Sequence, residues 1–291
     1  MLEFKYAKLD DRKWIEPIFK NSGYIGADYC FGSLYLWQEA YKCKIYKDEK
    51  FLYRIYDGEE PSYAFPVGNG DYKNAINILI KDASERNIPY KMFGLTAQMR
   101  GIIEAIMPNK FKFELKRDMS DYIYNSEDLS NLQGKKYHSK RNHVSKFKKT
   151  YNWTYADITE KNLKECFCFL EEWFLINKDR NLESEELAIK KAFDNYFELK
   201  LIGGYLKVDE NIVALTIGEK INDDVFDIHF EKALLNYSGS YPAINQEFAK
   251  RKLSSYKYIN REEDIGIEGL RKSKLSYSPT FLLDRYVAYL E

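Results

Sequence analysis

This sequence has no excess of positive or negative charge and no long apolar run. The 45 Lys and Arg residues balance 45 Asp and Glu residues, so the whole molecule is not predicted to be a polyanion binder, although a zero sum can hide local polarity. No apolar run approaches the roughly 20 residues that a helix needs to span a bilayer. The first residues, MLEFKYAKLDDRKW, also contain no apolar signal core. We therefore expect a soluble, cytoplasmic protein without a transmembrane segment.

Cysteine and histidine are scarce. Cys166 and Cys168 form a CxC motif within a predicted helix, and no second pair stands at a metal-like spacing from them. We predict buried free thiols in a reducing compartment and no metal site. The sequence also contains no P-loop, no GxSxG elbow and no dinucleotide-binding glycine fingerprint, so it carries none of the motifs typical of those enzyme classes.

The sequence is long enough, and aromatic enough, for two packed domains. Its 291 residues exceed the usual size of one domain, and aromatic residues make up 16% of them. The first half alternates strands and helices, while the second half contains helices, an antiparallel meander, a helix, a strand and a polar loop. We predict an α/β (α+β) fold with two domains, residues 1–118 and 119–291, each a mixed sheet flanked by helices.

Hydrophobic periodicity sets the predicted elements. Helices are predicted over residues 9–20, 71–86, 96–106, 159–177, 184–199 and 243–253. Strands are predicted over residues 44–46, 51–56, 62–65, 89–95, 121–124, 151–157, 201–208, 211–221 and 225–231. Tyr256, Lys257 and the first residues of the stretch 258–279 are predicted to form another strand, and residues 281–289 a strand or a mixture of strand and helix.

Residues 134–149, GKKYHSKRNHVSKFKK, contain seven Lys or Arg residues and no acid. As a helix, this basic segment would attract phosphates by steering and counterion release. A tRNA acceptor stem, a nucleotide-linked donor or an anionic lipid surface would each fit, and the alternative is an ordinary solvated helix face. The predicted phosphate-binding residues are Lys135, Lys136, Lys140, Arg141 and Lys148.

A polar strip is predicted on the strand that contains FDIHF. Strict alternation would place Asp227, His229 and Glu231 on one face, opposite the neighbouring apolar residues. Such a strip can line an acceptor cleft and accept the proton of an attacking amine. The alternative is a structural histidine within a buried strand. These three residues are the catalytic candidates.

Unlike charges and two glycines are concentrated in residues 258–279, YINREEDIGIEGLRKSKLSYSP. A strand that leads into a polar, glycine-containing loop is a common place for binding groups in α/β proteins. We predict that this stretch forms the acceptor side of a cleft, and the alternative is a solvated connection in which Arg261 pairs internally. The predicted polar contacts are Asn260, Arg261, Asp264 and Glu268, and the predicted shape-setting residues are Gly266 and Gly269.

The basic segment, the strand ending in FDIHFEKA and the stretch YINREEDIGIEGLRKSKLSYSP together resemble the uncharacterised bacterial DUF2156 family. That family is similar to the C-terminal catalytic region of phosphatidylglycerol lysyltransferases and to the Fem aminoacyltransferases. The resemblance covers almost the whole chain and implies two tandem GNAT-like domains, the second of them catalytic. The chain differs from the lysyltransferases in lacking their large membrane-spanning region.

The resemblance implies an acyl- or aminoacyltransferase that works by direct attack, without a tightly bound cofactor. The implied donor is aminoacyl-tRNA or acyl-CoA, and the acceptor is a small molecule, a peptide or a lipid headgroup. In GNAT enzymes a loop like NYSGSYP holds a pyrophosphate before a helix, which assigns Ser238, Gly239 and Ser240 to donor binding. The acyl-CoA signature [QR]xxGx[GA] is incomplete here, which favours charged tRNA. The alternatives are a non-catalytic module for RNA or an anionic metabolite, and an acetyl-CoA-dependent enzyme.

Overall fold

The computed structural model describes residues 1–180 and 182–291, and these residues form two compact units. The first unit contains Met1–Asp121, Glu263–Gly266 and Leu282–Glu291, and the second contains Tyr122–Glu262 and Ile267–Phe281. The predicted division after residue 118 lies close to the end of the first segment. The return of the last ten residues to the first unit was not predicted from the sequence.

The first unit is a mixed sheet with helices packed on it. Its helices are α1 Arg12–Ser22, α2 Phe31–Trp37, α3 Tyr72–Glu85 and α4 Ala97–Ile106. Its strands are β1 Cys43–Lys47, β2 Phe51–Tyr56, β3 Ser62–Tyr63, β4 Val67–Gly68, β5 Lys91–Leu95, β6 Phe111–Leu115 and, at the end of the chain, β14 Tyr286–Leu290. The strand order is β1-β2-β3-β5-β14-β6, with β4 paired to β2. The pairing of β3 with β5 is parallel, so the sheet is mixed.

Helix α3 shows how local sequence produces these elements. The Asp71 side chain accepts hydrogen bonds from the backbone N–H groups of Lys73 and Asn74, which caps the helix. Ile76 and Leu79 recur at helical spacing and are fully buried against the sheet. The capping residue and the apolar spacing were both visible in the sequence, and the predicted helix over residues 71–86 is confirmed.

The second unit contains a larger mixed sheet. Its helices are α5 Ser126–Asn131, α6 His138–Thr150, α7 Leu163–Ile176, α8 Glu183–Asp194, α9 Ser240–Lys252 and α10 Glu268–Leu275. Its sheet is built from β7 Asp121–Asn125, β8 Trp153–Asp157, β9 Ile202–Val208, β10 Asn211–Lys220, β11 Val225–Ala233, β12 Tyr258–Asn260 and β13 Phe281–Leu283. The strand order is β13-β7-β12-β11-β10-β9-β8. Strands β8 to β11 pair antiparallel, whereas β11 and β12 are parallel.

Helices α6 and α9 pack together on one face of this sheet. Phe147 of α6 and Ile244 of α9 are fully buried in one apolar cluster with Leu206 and Val213 of the sheet. The basic helix is therefore held against the sheet by its apolar residues, as its pattern predicted. A short 3-10 turn, Lys135–Tyr137, precedes α6, so the helical segment begins later than the predicted residue 134.

The predicted α/β class, with two mixed sheets flanked by helices, is confirmed. Strand β6 was missed because alternating Phe and charged residues over only five positions give a weak signal. Cys166 is buried as predicted, but Cys168 is exposed, because residues two apart on a helix point in different directions. Among the described residues, none of the helices has the length and apolar character needed to cross a membrane.

Candidate active site

Strand β11 carries a β-bulge in the middle of the predicted polar strip. Ile217 of β10 pairs with Phe230, but the next residue, Gly218, pairs with Ile228. His229 is therefore the extra residue on β11. A bulge locally disrupts the ladder and re-aims the side chains on either side of it.

The bulge divides the predicted catalytic residues into two groups. Glu231 accepts a hydrogen bond from Asn245 of α9, and Phe226 packs against Phe248 of the same helix. Strict alternation would place Phe226 and Glu231 on opposite faces, so the prediction of one shared face is wrong. Asp227 and His229 remain together, whereas Glu231 has a different set of partners.

His229 lies among three carboxylates. Its Nε2 atom is 3.0 Å from Glu219 Oε1, and its Nδ1 atom is 3.0 Å from Glu262 Oε1 and 3.2 Å from Asp227 Oδ2. The His229 and Asp227 side chains are fully buried, whereas the Glu262 side chain is 20% exposed. We call these four residues the His229 group. Glu262 is the member that a bound molecule reaches most easily.

Glu262 is held in an unusual backbone conformation that directs it to His229. Its φ angle is +56°, in the left-handed region that most residues avoid. The side chain of Asn260, at the end of β12, accepts a hydrogen bond of 2.7 Å from the Glu262 N–H. This local bond is the type of turn that asparagine stabilises. Asn260 thus fixes the backbone turn at Glu262, and its predicted role as a ligand contact stays a prediction.

The surroundings of Glu262 suit it to proton transfer. Burial, followed by the nearby Asp227 carboxylate, raises the pKa of Glu262 from about 4.5 to about 7, and the hydrogen bond with His229 opposes that shift. A carboxylate with a pKa near neutrality is both available as a base and strong enough to hold a proton. Glu262 can therefore exchange a proton near neutral pH.

Sequence reasoning identified Asp227 and His229 but missed Glu219 and Glu262. Glu219 comes opposite Asp227 only through the register of β10 and β11, which the sequence does not fix. Glu262 lies within the REED run of the polar stretch, between residues that were named. Its turn-forming Asn260, two residues earlier, was the available signal.

A second polar group forms where β11 and β12 part. Their last paired residues are Asp227 and Asn260, and β11 continues beyond that point without β12 beside it. Across the opening, Arg261 Nη2 donates to Glu231 Oε1 at 2.8 Å. Asn245 Nδ2 donates to the other oxygen of Glu231 at 3.0 Å. Glu231 therefore fixes the Arg261 guanidinium at the edge of the opening.

Two cationic side chains lie over the ring of Tyr277 beside this opening. The Nζ atom of Lys140 lies 3.8 Å from the centroid of the Tyr277 ring, and the guanidinium carbon of Arg261 lies 4.7 Å from it. Such positions over an aromatic ring are favourable cation–π contacts. The structure therefore brings together Lys140 and Arg261, which the sequence analysis had assigned to opposite sides of a cleft.

The other predicted phosphate-binding residues do not form one continuous strip. Lys136 donates to Asp128 at 2.9 Å, Arg141 donates to the Leu132 and Gly134 carbonyl oxygens, and Lys148 donates to Glu247. Lys135 is exposed, as are Lys146 and Lys149 farther along the basic helix. Lys136 is exposed as well, despite its ion pair with Asp128, so the basic segment presents these four lysines to solvent.

The predicted donor loop packs tightly beneath the basic helix. Gly239 has a φ angle of +91°, and a Cβ atom there would lie 2.5 Å from the His143 carbonyl oxygen. The Ser240 hydroxyl donates to the Leu234 carbonyl oxygen at 3.0 Å, and the Ser238 N–H donates to the Tyr151 hydroxyl. Two of the three predicted donor-binding residues thus have internal hydrogen bonds. Their role in binding a donor stays a prediction.

Of the remaining residues of the polar stretch, Asp264 and Gly266 belong to the first unit, and Glu268 and Gly269 belong to the second. Asp264 is fully buried in the first unit, where its carboxylate accepts hydrogen bonds from Arg117 and from the Gly266 N–H. Glu268 begins α10 with a side chain 77% exposed, and it pairs only with Lys272 one turn later. Gly269 is open, with no atom near the place of a Cβ. These positions show internal or solvent contacts, and their predicted ligand roles stay predictions.

The fold and the His229 group define a protein of two mixed α/β units with an acid–base group in the second. The chain belongs to the family described as "Phosphatidylglycerol lysyltransferase, C-terminal", whose sequence model matches residues 20–289. That description names an aminoacyltransferase. The resemblance to the DUF2156 proteins and these lysyltransferases is thereby confirmed.

Individual relatives agree with this assignment. A conserved protein of unknown function from Bacteroides thetaiotaomicron is 40% identical, with 100% of both chains covered and a TM-score of 0.95. An uncharacterised protein of Mycoplasmoides gallisepticum is 26% identical over 65% of this chain, and the match spans only 62% of that protein. The first relative shows that the fold of this chain recurs along its whole length in another solved structure.

Two more distant structures share the fold alone. The L-PGS structure from Bacillus licheniformis has a TM-score of 0.68 at 15% identity, covering 96% of this chain and 92% of that one. FemX has a TM-score of 0.62 at 10% identity, covering 100% of this chain and 98% of that one. The likeness to both proteins agrees with the fold that the sequence resemblance implied.

Proposed function

We propose that this protein transfers an aminoacyl group from a charged tRNA to an amine or hydroxyl acceptor. The nitrogen or oxygen of the acceptor attacks the carbonyl carbon of the ester, and the bond to the terminal ribose oxygen breaks. The acceptor's proton passes to Glu262, and the ribose oxygen leaves as a hydroxyl after taking up a proton. No covalent enzyme intermediate is required, so the protein acts mainly by positioning and proton transfer.

One observation carries this proposal, namely the His229 group and its partly exposed carboxylate. The two ring nitrogens of His229 have three carboxylates within 3.2 Å. Glu262, with a pKa of about 7, gives the group a base that is available at neutral pH. In this proposal Asp227 and Glu219 keep His229 oriented, and His229 passes the proton onward.

Three of the exposed lysines of the basic segment support charged tRNA as the donor. Lys146 and Lys149 are three residues apart on α6, so they share one face of the helix, and Lys135 precedes it. Lysines that neutralise phosphates release counterions, which is the main source of affinity for nucleic acid. The Ser238 and Ser240 N–H groups donate to the Tyr151 hydroxyl and the Tyr237 carbonyl oxygen, so acyl-CoA has weaker support as the donor.

The family description supports a phosphatidylglycerol headgroup as the first acceptor to test, with small amines and peptides as the other classes. A direct assay mixes the purified chain with lysyl-tRNA labelled in the lysine and with phosphatidylglycerol vesicles, and it follows label in the lipid. Transfer to the vesicles, or to a supplied amine or peptide pool, supports the proposal. The proposal is contradicted if the label stays on the tRNA with every acceptor class while, in a parallel assay with acetyl-CoA, the same chain consumes acetyl-CoA.

Binding of tRNA gives a separate prediction about the basic segment. We expect affinity for charged tRNA to fall roughly tenfold or more between about 50 and 200 mM salt, because several phosphates are neutralised. The double variant Lys146→Gln/Lys149→Gln should bind more weakly and with a shallower salt dependence, measured by filter binding across a salt series.

The matched control changes the exposed Lys164 of α7, in the same unit, to glutamine. This variant should keep the salt dependence of the unmodified protein, because Lys164 is not on the basic helix. Salt-independent binding, or an equal loss in the control, would show that the basic segment is an ordinary solvated helix face.

A further inference from the structure

We propose that Lys140, Arg261 and Tyr277 form a subsite for one oxyanion, a phosphate or carboxylate group carried by a substrate. The three residues come from helix α6, the end of β12 and the segment after α10. They meet beside the opening between β11 and β12. Assigning the oxyanion to the acceptor rests on the proposed function, but binding itself can be measured without any transfer reaction.

The Lys140 ammonium group is partly buried and has no carboxylate as an ion-pair partner among the described residues. It lies over the Tyr277 ring at 3.8 Å. Burial, followed by the charge of Arg261, lowers the pKa of Lys140 to about 8, while Glu231 opposes the shift. An oxyanion bound beside the ammonium group would remove this destabilisation.

Arg261 supplies a fixed donor at the same place. Its Nη2 atom is occupied by Glu231, while its Nη1 atom is buried and has no hydrogen-bond partner among the described residues. A buried N–H without a partner is destabilising, because it has lost its hydrogen bond to water and has gained none in exchange. The Tyr277 ring on one side and the Glu231 carboxylate on the other hold the guanidinium in position. A ligand oxygen that reached Nη1 would supply the missing acceptor.

The charges of Lys140, Arg261 and Glu231 sum to one positive charge, which one anion would neutralise. Lys140 and Arg261 carry two positive charges, and Glu231 supplies one negative charge, so one positive charge remains. Guanidinium and ammonium donors together match the oxygens of a phosphate or a carboxylate. The Tyr277 hydroxyl does not alter this balance, because burial raises the pKa of Tyr277 far above neutrality.

Proton uptake provides a specific test of this subsite. Because burial lowers the pKa of Lys140 to about 8, an anion that binds beside it should draw roughly half a proton from the buffer at that pH. We would titrate the protein with acetate and with dimethyl phosphate, neither of which titrates near pH 8. Calorimetry in two buffers of different ionisation heat then gives the protons taken up for each anion bound.

The expected result is binding of at least one of the two anions with proton uptake. Lys140→Met, which keeps an apolar stem against Tyr277, should weaken binding about tenfold or more and abolish the uptake. Lys164→Met is the matched control and should behave as the unmodified protein. Circular dichroism establishes that each variant is folded.

The two anions distinguish the possible sources of the ligand group. Tighter binding of dimethyl phosphate would assign the subsite to a phosphodiester, and tighter binding of acetate to a carboxylate. No binding of either anion at tens of millimolar, or binding without proton uptake, would overturn the proposal. Transfer activity in a protein that binds neither anion would leave the proposed function in place, and anion binding without transfer would leave only the subsite.

Discussion

Glu262→Gln should lower the rate constant of aminoacyl transfer about 100-fold or more, with the fold unchanged. Glutamine has the shape of the neutral carboxyl group and can keep a hydrogen bond to His229, but it cannot accept a proton from the acceptor. The Asn260 side chain bonds to the backbone N–H of residue 262, so the left-handed turn does not depend on the carboxylate. The loss should appear in kcat, since the variant still offers the same contacts to bound substrate.

The pH dependence of this reaction follows from the same carboxylate. Glu262 acts as a base only when it is ionised, so the rate should rise as pH increases through about 7 and then level off. Stability should change in the opposite direction. The pKa of Glu262 in the folded protein is raised above its usual value of 4.5, so the folded protein holds this proton more tightly than the unfolded chain does. The resulting contribution to stability is full below about pH 4.5 and is lost as the pH rises through about 7.

Glu262→Gln should remove both pH effects, because glutamine does not titrate. Rate profiles and urea denaturation at several pH values measure the two effects. The control is Glu171→Gln on the exposed part of α7, which should preserve the rate and both profiles. If Glu262→Gln retained the full rate, or a rate that still rose through neutrality, Glu262 would not be the proton acceptor.

The largest expected loss of stability comes from Arg285 in the first unit. Its Nη2 atom donates to Asp28 Oδ1 at 2.7 Å and to Asp121 Oδ2 at 2.9 Å, and its Nη1 atom donates to the Gly94 carbonyl oxygen at 3.0 Å. Arg285 is 5% exposed and Asp121 only 2%. Replacing Arg285 with methionine removes the positive charge that balances the buried Asp121 carboxylate. Breaking one side of such a buried pair costs about 3–5 kcal/mol.

Urea denaturation and thermal unfolding measure this effect. A loss of that size should lower Tm on the order of 10 °C for a unit of this length. Lys13→Met removes one partner of an ion pair with Asp10 in which both side chains are more than 80% exposed (83% and 91%), and it should change the free energy of unfolding by less than about 0.5 kcal/mol.

A second variant separates lost charge balance from lost packing. Adding Asp121→Asn to Arg285→Met removes one of the uncompensated charges, so it should recover part of the lost stability. An Arg285→Met protein as stable as its parent would mean that these carboxylates are solvated or protonated. In that case the ion pairs would contribute little to holding the end of the chain in the first unit.

Local pattern was enough to predict most individual elements. Alternating apolar residues with turn residues between them indicated the three-strand meander, which the structure contains as β9, β10 and β11. Helix α3 was recognisable from its aspartate cap and its apolar spacing. These signals depend on residues near one another in the sequence, and short-range sterics and solvation determine them.

The candidate site was predictable only in part. His229 stood out because a histidine between an aspartate and a glutamate on a strand is unusual, and the structure makes it the centre of a buried polar group. The bulge at His229 and the register that brings Glu219 to it depend on the pairing of β10 with β11. A one-residue shift in the register of a strand moves each of its side chains to the other face of the sheet, and the composition does not specify that register.

The sequence by itself determined the α/β class, the basic segment, the family resemblance and the order of the helices and strands. Only the tertiary structure decided that β14, the last strand of the chain, lies between β5 and β6 of the first unit. It also decided that Lys140 and Arg261 share one tyrosine ring. The physical reason is the same in both cases. Contacts between residues more than a hundred positions apart depend on which surfaces pack together, and that selection is made by the free energy of the whole fold.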